Sequence, residues 1–234
     1  MSEPTLAQRD LTAITAHLSR RASPPWIWIF CGDSITQGVA YTRGARAFPE
    51  IFAERVRWEK LFLHDLVINT GISGHTTVDL LRNDQYERRI RRHGPRAVFL
   101  LIGMNDTVKL DDPGKFRANL AELVRRVRAD GAIPILQTNP TVLLVPENPN
   151  YRKRYELLPT YNAAIRETAE SESVILVDHD RRWRTDAADA EILRTWLGDD
   201  PIHPGARGHV EMAKEIFRAL GIDSPDAPCL NNGF

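Results

Sequence analysis

The feature that most constrains the fold of this chain is a series of five short apolar runs. Each is rich in β-branched or aromatic residues, and none alternates with polar residues. Continuous apolar runs are typical of strands that are buried on both faces of a parallel sheet. The runs lie at residues 26–31, 63–69, 97–102, 133–138 and 174–178. We therefore predict a five-stranded parallel sheet at the centre of the protein.

Helical patterns precede, separate and follow these runs, at residues 5–18, 48–59, 77–92, 113–129, 155–169 and 205–220. Alternating strands and helices predict an α/β fold, here a three-layer flavodoxin-like sandwich with helices on both faces of the sheet. We predict one domain at residues 23–222, an N-terminal helical extension at residues 1–22 and a loose C-terminal tail at residues 223–234. The longest irregular stretch, 139–154, follows the fourth strand and should overhang the carboxyl edge of the sheet.

The composition excludes several classes of function. The 234 residues include 31 Lys and Arg and 31 Asp and Glu, and this zero net charge argues against a nucleic-acid-binding protein. We find no signal peptide and no apolar run near the roughly 20 residues that span a bilayer, so we expect a cytoplasmic protein without a membrane partner. The cysteines, Cys31 and Cys229, are spaced for neither a metal knuckle nor a disulfide framework. The sequence leaves the oligomeric state open.

Chemically reactive residue types collect directly after the predicted strands. Asp33 and Ser34 follow the first strand, the segment 69–75 follows the second, and the segment 103–106 follows the third. A further segment, 200–203, comes just before the last helix. Ligands of doubly wound sheets bind at the carboxyl ends of the strands, so these segments should meet on one face of the protein.

These segments contain the groups that a serine nucleophile requires. Ser34 is the candidate nucleophile, His203 the candidate base, and Asp200 the carboxylate that would orient the imidazole. The N–H groups of Ser34 and Gly74 and the side chain of Asn105 can donate hydrogen bonds to an oxyanion. Each residue also has a purely structural interpretation, as a helix cap, a turn residue or a surface histidine. Their coincidence on one predicted face favours the catalytic interpretation.

The four segments resemble the sequence blocks of the SGNH hydrolase superfamily, the GDSL-type esterases and lipases. Gly32-Asp33-Ser34 is similar to the first block, and residues 69–74, 103–106 and 200–203 are similar to the others. The resemblance implies a flavodoxin-like fold, a nucleophile at Ser34, a base at His203 with Asp200, and an oxyanion hole formed by Ser34, Gly74 and Asn105. It implies neither a metal nor a cofactor. Thr36 replaces the second glycine of the Gly-x-Ser-x-Gly motif, which argues against the α/β-hydrolase type.

Several assignments stay open at this point. Gly71 competes with Gly74 as the oxyanion donor, and Asp199 competes with Asp200, although the spacing to His203 favours Asp200. Asp33 is expected to support the turn before the nucleophile without a catalytic role. The triplet 178–180, Asp-His-Asp, is a candidate metal site, but hydrogen bonding within its loop is the favoured interpretation.

The resemblance implies an esterase that forms an acyl-enzyme on Ser34 and takes a small-molecule ester as its substrate. The stretch 139–154 contains Leu143, Leu144, Tyr151 and Arg152, a mixture that suits a short acyl group on a polar alcohol. We therefore expect an acetyl ester of a sugar or similar alcohol. The alternatives are an acyltransferase that uses the same acyl-enzyme, and a lipase or thioesterase that acts on longer chains. A flavin-binding module shares this sheet, but it would leave Asn105 and His203 unexplained.

Overall fold

A five-stranded parallel sheet forms the centre of the protein, with the strand order β2-β1-β3-β4-β5. The structure is a computed structural model, and it describes residues 3–20 and 24–231. The strands are β1 (Ile27–Gly32), β2 (Leu66–Asn69), β3 (Ala97–Leu101), β4 (Ile133–Gln137) and β5 (Ile175–Val177). This order is that of the flavodoxin-like doubly wound sheet, so the predicted fold class is confirmed.

Helices connect the strands and cover the sheet. They are α1 (Leu6–His17), α2 (Ser34–Gln37), α3 (Phe48–Glu54), α4 (Thr77–Leu81), α5 (Gln85–Arg89), α6 (Asp106–Lys109), α7 (Pro113–Ala129), α8 (Pro149–Ser171), α9 (His179–Asp186), α10 (Ala190–Trp196) and α11 (Ala206–Ala219). A π-helical turn, Arg55–Glu59, continues α3, and 3₁₀ turns lie at Arg91–His93 and Pro228–Leu230. In the described part of the chain, every helix is too short or too polar to cross a membrane.

The side chains of the sheet divide into two hydrophobic cores, one on each face. Phe30 and Phe99 are paired neighbours on β1 and β3, and their rings stack with centroids 4.2 Å apart in the first core. Ile29 and Cys31 point to the opposite face and belong to the second core. Side chains of a strand alternate between faces, so burial on both sides explains why the apolar runs do not alternate with polar residues. The sheet is therefore the middle of three layers.

The predicted single helix at residues 77–92 is wrong. Helix α4 ends at Leu81, Arg82 has extended backbone angles, and Asn83 has a φ of 50° in the left-handed region. Asparagine is one of the few residues that visit this region routinely, because its short polar side chain can hydrogen-bond locally. The apolar periodicity continues across the break into α5, so the sequence pattern alone did not reveal it.

The predicted irregular stretch 139–154 is wrong in its second part, where α8 begins at Pro149. Asn148 caps this helix, because its side-chain oxygen accepts hydrogen bonds from the N–H groups of Asn150 and Tyr151. Proline is well suited to the first helical position, where its missing N–H needs no partner. Tyr151 and Arg154 are consequently carried by a helix and not by a loop.

Both ends of the described chain pack against the domain. Ile14 of α1 is fully buried in the first core, and so is Cys229 of the last 3₁₀ turn. The backbone N–H of Cys229 also donates a hydrogen bond to the carboxylate of Glu59. The predicted boundary between residues 22 and 23, and the final residues 232–234, lie outside the described residues. The division into extension, domain and tail stays a prediction.

Candidate active site

A tight turn after β1 places Ser34 at the carboxyl edge of the sheet. Gly32 is required at the end of the strand, because a Cβ there would overlap the carbonyl oxygen of Leu101. Asp33 caps the short helix α2 by accepting a hydrogen bond of 3.0 Å from the N–H of Ile35. Ser34 is the first residue of this helix, and only 6% of its surface is exposed.

The side chains of Ser34, His203 and Asp200 form one chain of hydrogen bonds. Ser34 Oγ lies 2.8 Å from His203 Nε2, and His203 Nδ1 lies 2.6 Å from Asp200 Oδ2. An ionised carboxylate can only accept, so Nδ1 of His203 carries the proton. Nε2 is then left with a lone pair that accepts the hydroxyl proton of Ser34. The geometry matches the arrangement of nucleophile, base and orienting group in serine hydrolases.

Contacts around the imidazole fix its position. Asp200 Oδ1 accepts hydrogen bonds from the N–H groups of Ile202 and His203, at 2.9 and 2.8 Å. Burial acts to raise the pKa of Asp200, but these hydrogen bonds and the one from the imidazole hold that pKa below its ordinary value. Tyr41 stacks on the imidazole of His203, with ring centroids 3.4 Å apart and planes 3° from parallel. The ring of His203 is thus held both at its edge and on its face.

The neighbouring aspartate, Asp199, does not contact His203. Its carboxylate is exposed and pairs with the guanidinium of Arg43. The structure therefore brings Asp200, the aspartate that the spacing favoured, to the imidazole.

Two backbone N–H groups beside the nucleophile are available as donors. The structure provides no hydrogen-bond acceptor within the described residues for the N–H of Ser34 or of Gly74, whereas the N–H of Gly71 donates to Asn69 at 3.0 Å. This difference favours Gly74 over Gly71. Gly74 has a φ of 80°, a conformation that glycine adopts without strain. Its carbonyl oxygen accepts a hydrogen bond of 2.7 Å from Lys109 Nζ, which ties the loop to α6.

Asn105 brings a third donor to the same region from the end of β3. Its Nδ2 donates to the carbonyl oxygen of His75 at 3.1 Å and lies 3.5 Å from Asp33 Oδ2. The second distance is at the limit of a hydrogen bond, so that N–H can turn toward a bound oxyanion. Asn105 thereby links the loop of Gly74 to the turn of Ser34.

Two buried carboxylates lie behind these donors. Burial raises the pKa of Asp33 to about 7, and the nearby charge of Asp106 adds to the effect. Burial also raises the pKa of Asp106 to about 6, although hydrogen bonds from the N–H and hydroxyl groups of Thr77 oppose it. Asp33 does not contact His203; its contacts are with Ile35 and Asn105.

Two side chains of this region, Tyr41 and Arg154, were not predicted from the sequence. Tyr41 lies in an irregular segment after α2, where nothing in the pattern distinguishes it. In the stretch 139–154, the predicted residues were Tyr151 and Arg152. Residues three apart share a helix face, so the start of α8 at Pro149 would have indicated Arg154 as the neighbour of Tyr151. Arg152 instead is exposed, 4.0 Å from Glu156.

The triplet at residues 178–180 is held by partners within the protein. Asp178 and Asp180 both pair with the guanidinium of Arg166, at 2.7 and 2.8 Å. The imidazole of His179 is fully buried and lies 2.9 Å from the side-chain oxygen of Gln137. The three side chains therefore connect the junction of β5 and α9 to Arg166 of α8 and Gln137 of β4.

Comparisons with known proteins agree with this geometry. The chain is 28% identical to an acetylxylan esterase of Geobacillus stearothermophilus over 83% of this chain and 94% of that protein. It is 25% identical to thioesterase 1/protease 1/lysophospholipase L1 of Escherichia coli K12 over 88% of this chain and 91% of that protein. The crystal structure of an enzyme from the metagenome of Lake Arreo, Spain, has the same fold, with a TM-score of 0.71 and 21% identity over 87% of this chain and 99% of that one.

The sequence match to the GDSL-like lipase/acylhydrolase family covers residues 30–210, most of the chain, and it includes all four segments at the edge of the sheet. The chain therefore belongs to the GDSL-like lipase/acylhydrolase family of the SGNH superfamily and is an ester-hydrolysing serine hydrolase.

Proposed function

We propose that this protein hydrolyses acetyl esters of polar alcohols, sugars in particular, through an acyl-enzyme on Ser34. The observation that carries the proposal is the hydrogen-bonded chain from Ser34 through His203 to Asp200, beside the unpaired N–H groups of Ser34 and Gly74. A buried serine with a base, an orienting carboxylate and free donors is equipped for acyl transfer.

In the first half of the reaction, Ser34 Oγ attacks the ester carbonyl carbon while His203 Nε2 takes the hydroxyl proton. The carbonyl π electrons move to oxygen, and the N–H groups of Ser34 and Gly74 with the amide of Asn105 stabilise the resulting oxyanion. Asp200 stabilises the imidazolium through Nδ1. The bond between carbon and the alcohol oxygen then breaks, and His203 returns its proton to the departing alcohol.

In the second half, water hydrolyses the acyl-enzyme. His203 Nε2 takes a proton from the water as the water oxygen attacks the acyl carbon, and the same donors hold the second oxyanion. Collapse of this intermediate breaks the bond to Ser34 Oγ, which regains its proton from His203. The carboxylic acid leaves, and the enzyme returns to its starting state.

The preference for acetyl esters is supported by the relative from G. stearothermophilus, an acetylxylan esterase, and by the mixed polar lining near the site. Tyr41 and Tyr151 provide aromatic rings with polar hydroxyl groups, which suit a sugar better than a long acyl chain. The E. coli relative is named as a thioesterase and lysophospholipase, so acyl thioesters and long-chain esters are the second candidate class.

The test compares an acetylated methyl xyloside, a p-nitrophenyl ester of a long acyl chain and an acyl thioester as substrates. We expect the acetylated sugar to have the highest kcat/KM, and Ser34→Ala to reduce its hydrolysis by at least 10³-fold. Ser171→Ala, which changes an exposed serine of α8, should keep full activity. Full activity of Ser34→Ala would contradict the mechanism, and a higher kcat/KM for the thioester would contradict the substrate class. Product analysis with added alcohols would reveal an acyltransferase.

A further inference from the structure

The guanidinium of Arg154 is half-buried and has few partners within the protein. Within the described residues, one hydrogen bond is present, from Nη1 to the carbonyl oxygen of Asn150 at 3.4 Å, and no carboxylate forms an ion pair with it. Nε is buried and has no acceptor. The preceding residues differ: Lys153 pairs with Asp111 at 2.8 Å, and Arg152 extends into solvent. Buried donors without acceptors are costly, so these N–H groups favour a ligand that can accept hydrogen bonds from them.

The position of Arg154 places these free donors at the active site. The residue lies on the second turn of α8, on the same face as Tyr151. The segment that leads into this helix is bonded to the turn of Asp200 and His203, because the N–H of Leu143 donates to the carbonyl oxygen of Pro201 at 2.9 Å. Burial lowers the pKa of Arg154, and the nearby side chains of Tyr151, Asp33 and Asp200 oppose this effect. Arg154 in turn acts to lower the pKa of Asp33, the residue next to the nucleophile. The guanidinium thus lies close enough to interact electrostatically with Asp200, which orients His203, and with Asp33, which precedes the nucleophile.

We infer that Arg154 binds a carboxylate on the alcohol part of the ester, so that acetylated acidic sugars, such as uronic acids, are preferred substrates. The inference rests on the proposed function, because it assigns the alcohol of the same ester. A guanidinium presents a planar fork of N–H groups that fits the two oxygens of a carboxylate, and a charge-assisted pair of this kind is stronger than a neutral hydrogen bond. An acidic sugar would supply acceptors for donors that the protein leaves unpaired.

A different role for Arg154 has a different consequence. If its charge served only to offset the carboxylates of Asp33 and Asp200, its removal would affect the reaction of every ester to the same extent. A carboxylate-binding role predicts a loss that is confined to acidic substrates and appears mainly in KM. The two roles can therefore be separated by a pair of substrates that differ only in charge.

The experiment compares an acetylated methyl glucuronoside with the equivalent acetylated methyl glucoside, which carries CH₂OH in place of the carboxylate. We expect wild-type kcat/KM to favour the glucuronoside about tenfold or more, and Arg154→Gln to lower kcat/KM for the glucuronoside about tenfold more than for the glucoside, so that the preference is lost. Arg154→Lys should retain part of the preference, since it keeps the charge but loses the fork. Arg152→Gln is the matched control on the exposed face of the same helix turn and should behave as wild type.

A binding measurement separates this inference from the proposed function. Methyl glucuronoside without an acetyl group should bind to wild type in calorimetric titration and bind at least tenfold more weakly to Arg154→Gln, whether or not any ester is cleaved. Equal losses on both substrates, or equal binding of methyl glucuronoside to both proteins, would overturn the inference. Loss of esterase activity toward every sugar with binding intact would overturn only the proposed function. Thermal unfolding of each variant shows whether the protein is folded.

Discussion

Two adjacent aspartates show how the site selects its carboxylate. The side chain of Asp199 is 62% exposed and pairs with Arg43, whereas that of Asp200 is 23% exposed and holds His203. One oxygen of Asp200 accepts two backbone N–H groups of its own turn, which leaves the other aimed at Nδ1. The backbone of the turn thus orients the carboxylate independently of its contact with the imidazole.

This geometry predicts opposite results for two similar substitutions. Asp200→Asn can place an amide N–H against Nδ1 of His203, which favours the wrong tautomer, and we expect kcat to fall roughly 10⁴-fold. Asp199→Asn should change kcat less than twofold, since it alters only an exposed pair of small energetic value. Steady-state hydrolysis of p-nitrophenyl acetate measures both. Comparable losses in the two variants would show that Asp200 has no special role.

At the residue scale, spacing along the chain was informative where the functional group and its partner belong to one turn. Asp200 and His203 are three residues apart, so their contact is local and could be predicted. Tyr41 and Arg154 reach the site through tertiary packing, from the segment after α2 and from a helix whose start was misplaced. Their position at the site could therefore not be predicted from the residues that flank them in the sequence.

At the scale of elements, the strands were predictable because burial on both faces requires a continuous apolar run. Four of the predicted strands begin and end within one residue of the observed boundaries. The fifth, β2, ends at the predicted residue but begins three residues later, at Leu66. The break between α4 and α5 depends on a single left-handed residue, Asn83, within an otherwise helical periodicity. A feature of one residue is invisible to a pattern that is averaged over several turns.

Helix α1 is joined to the sheet through one buried carboxylate, Asp65. It accepts hydrogen bonds from His17 Nε2 at 2.8 Å, from the backbone N–H of Trp26 at 3.0 Å and from the indole N–H of Trp28 at 2.8 Å. The ring of His17 also stacks on that of Trp26, with centroids 4.3 Å apart. Asp65 therefore connects α1, β1 and the segment before β2.

Removal of this carboxylate should destabilise the protein strongly. Asp65→Ala leaves three buried donors without an acceptor, and we expect the free energy of unfolding to fall by about 3–5 kcal/mol in urea denaturation. Asp10→Ala, which removes the pair between α1 and Arg128, is the control and should cost about 1 kcal/mol or less. A loss of under 1 kcal/mol for Asp65→Ala would mean that α1 is held by its apolar contacts alone.

For the whole molecule, buried titratable groups act on stability in opposite directions. Burial raises the pKa of Asp33 to about 7 and of Asp106 to about 6, so the folded protein binds more protons than the unfolded chain above about pH 4. The contribution of both carboxyls to the free energy of unfolding therefore declines as pH rises toward 7. Burial lowers the pKa of His179 and His209 to about 3, so between about pH 3 and 6.5 the unfolded chain binds more protons at these two residues than the folded protein does. Their contribution to the free energy of unfolding therefore rises with pH across this range. The two effects partly cancel in the wild-type protein.

Asp106→Asn should remove the part of the pH dependence of stability that comes from the Asp106 carboxyl. An amide oxygen can still accept the hydrogen bonds from Thr77, but the variant has no charge to bury as pH rises. We expect its unfolding free energy to match that of wild type below about pH 4, where the Asp106 carboxyl is protonated in both the folded and the unfolded state. Its advantage should then grow by at most about 1.4 kcal/mol per pH unit and level off above about pH 6. Urea denaturation at half-unit steps from about pH 3.5 to 7.5 measures the difference. A difference that is the same at every pH would show that Asp106 is ionised in the folded protein throughout this range and that burial does not control its titration.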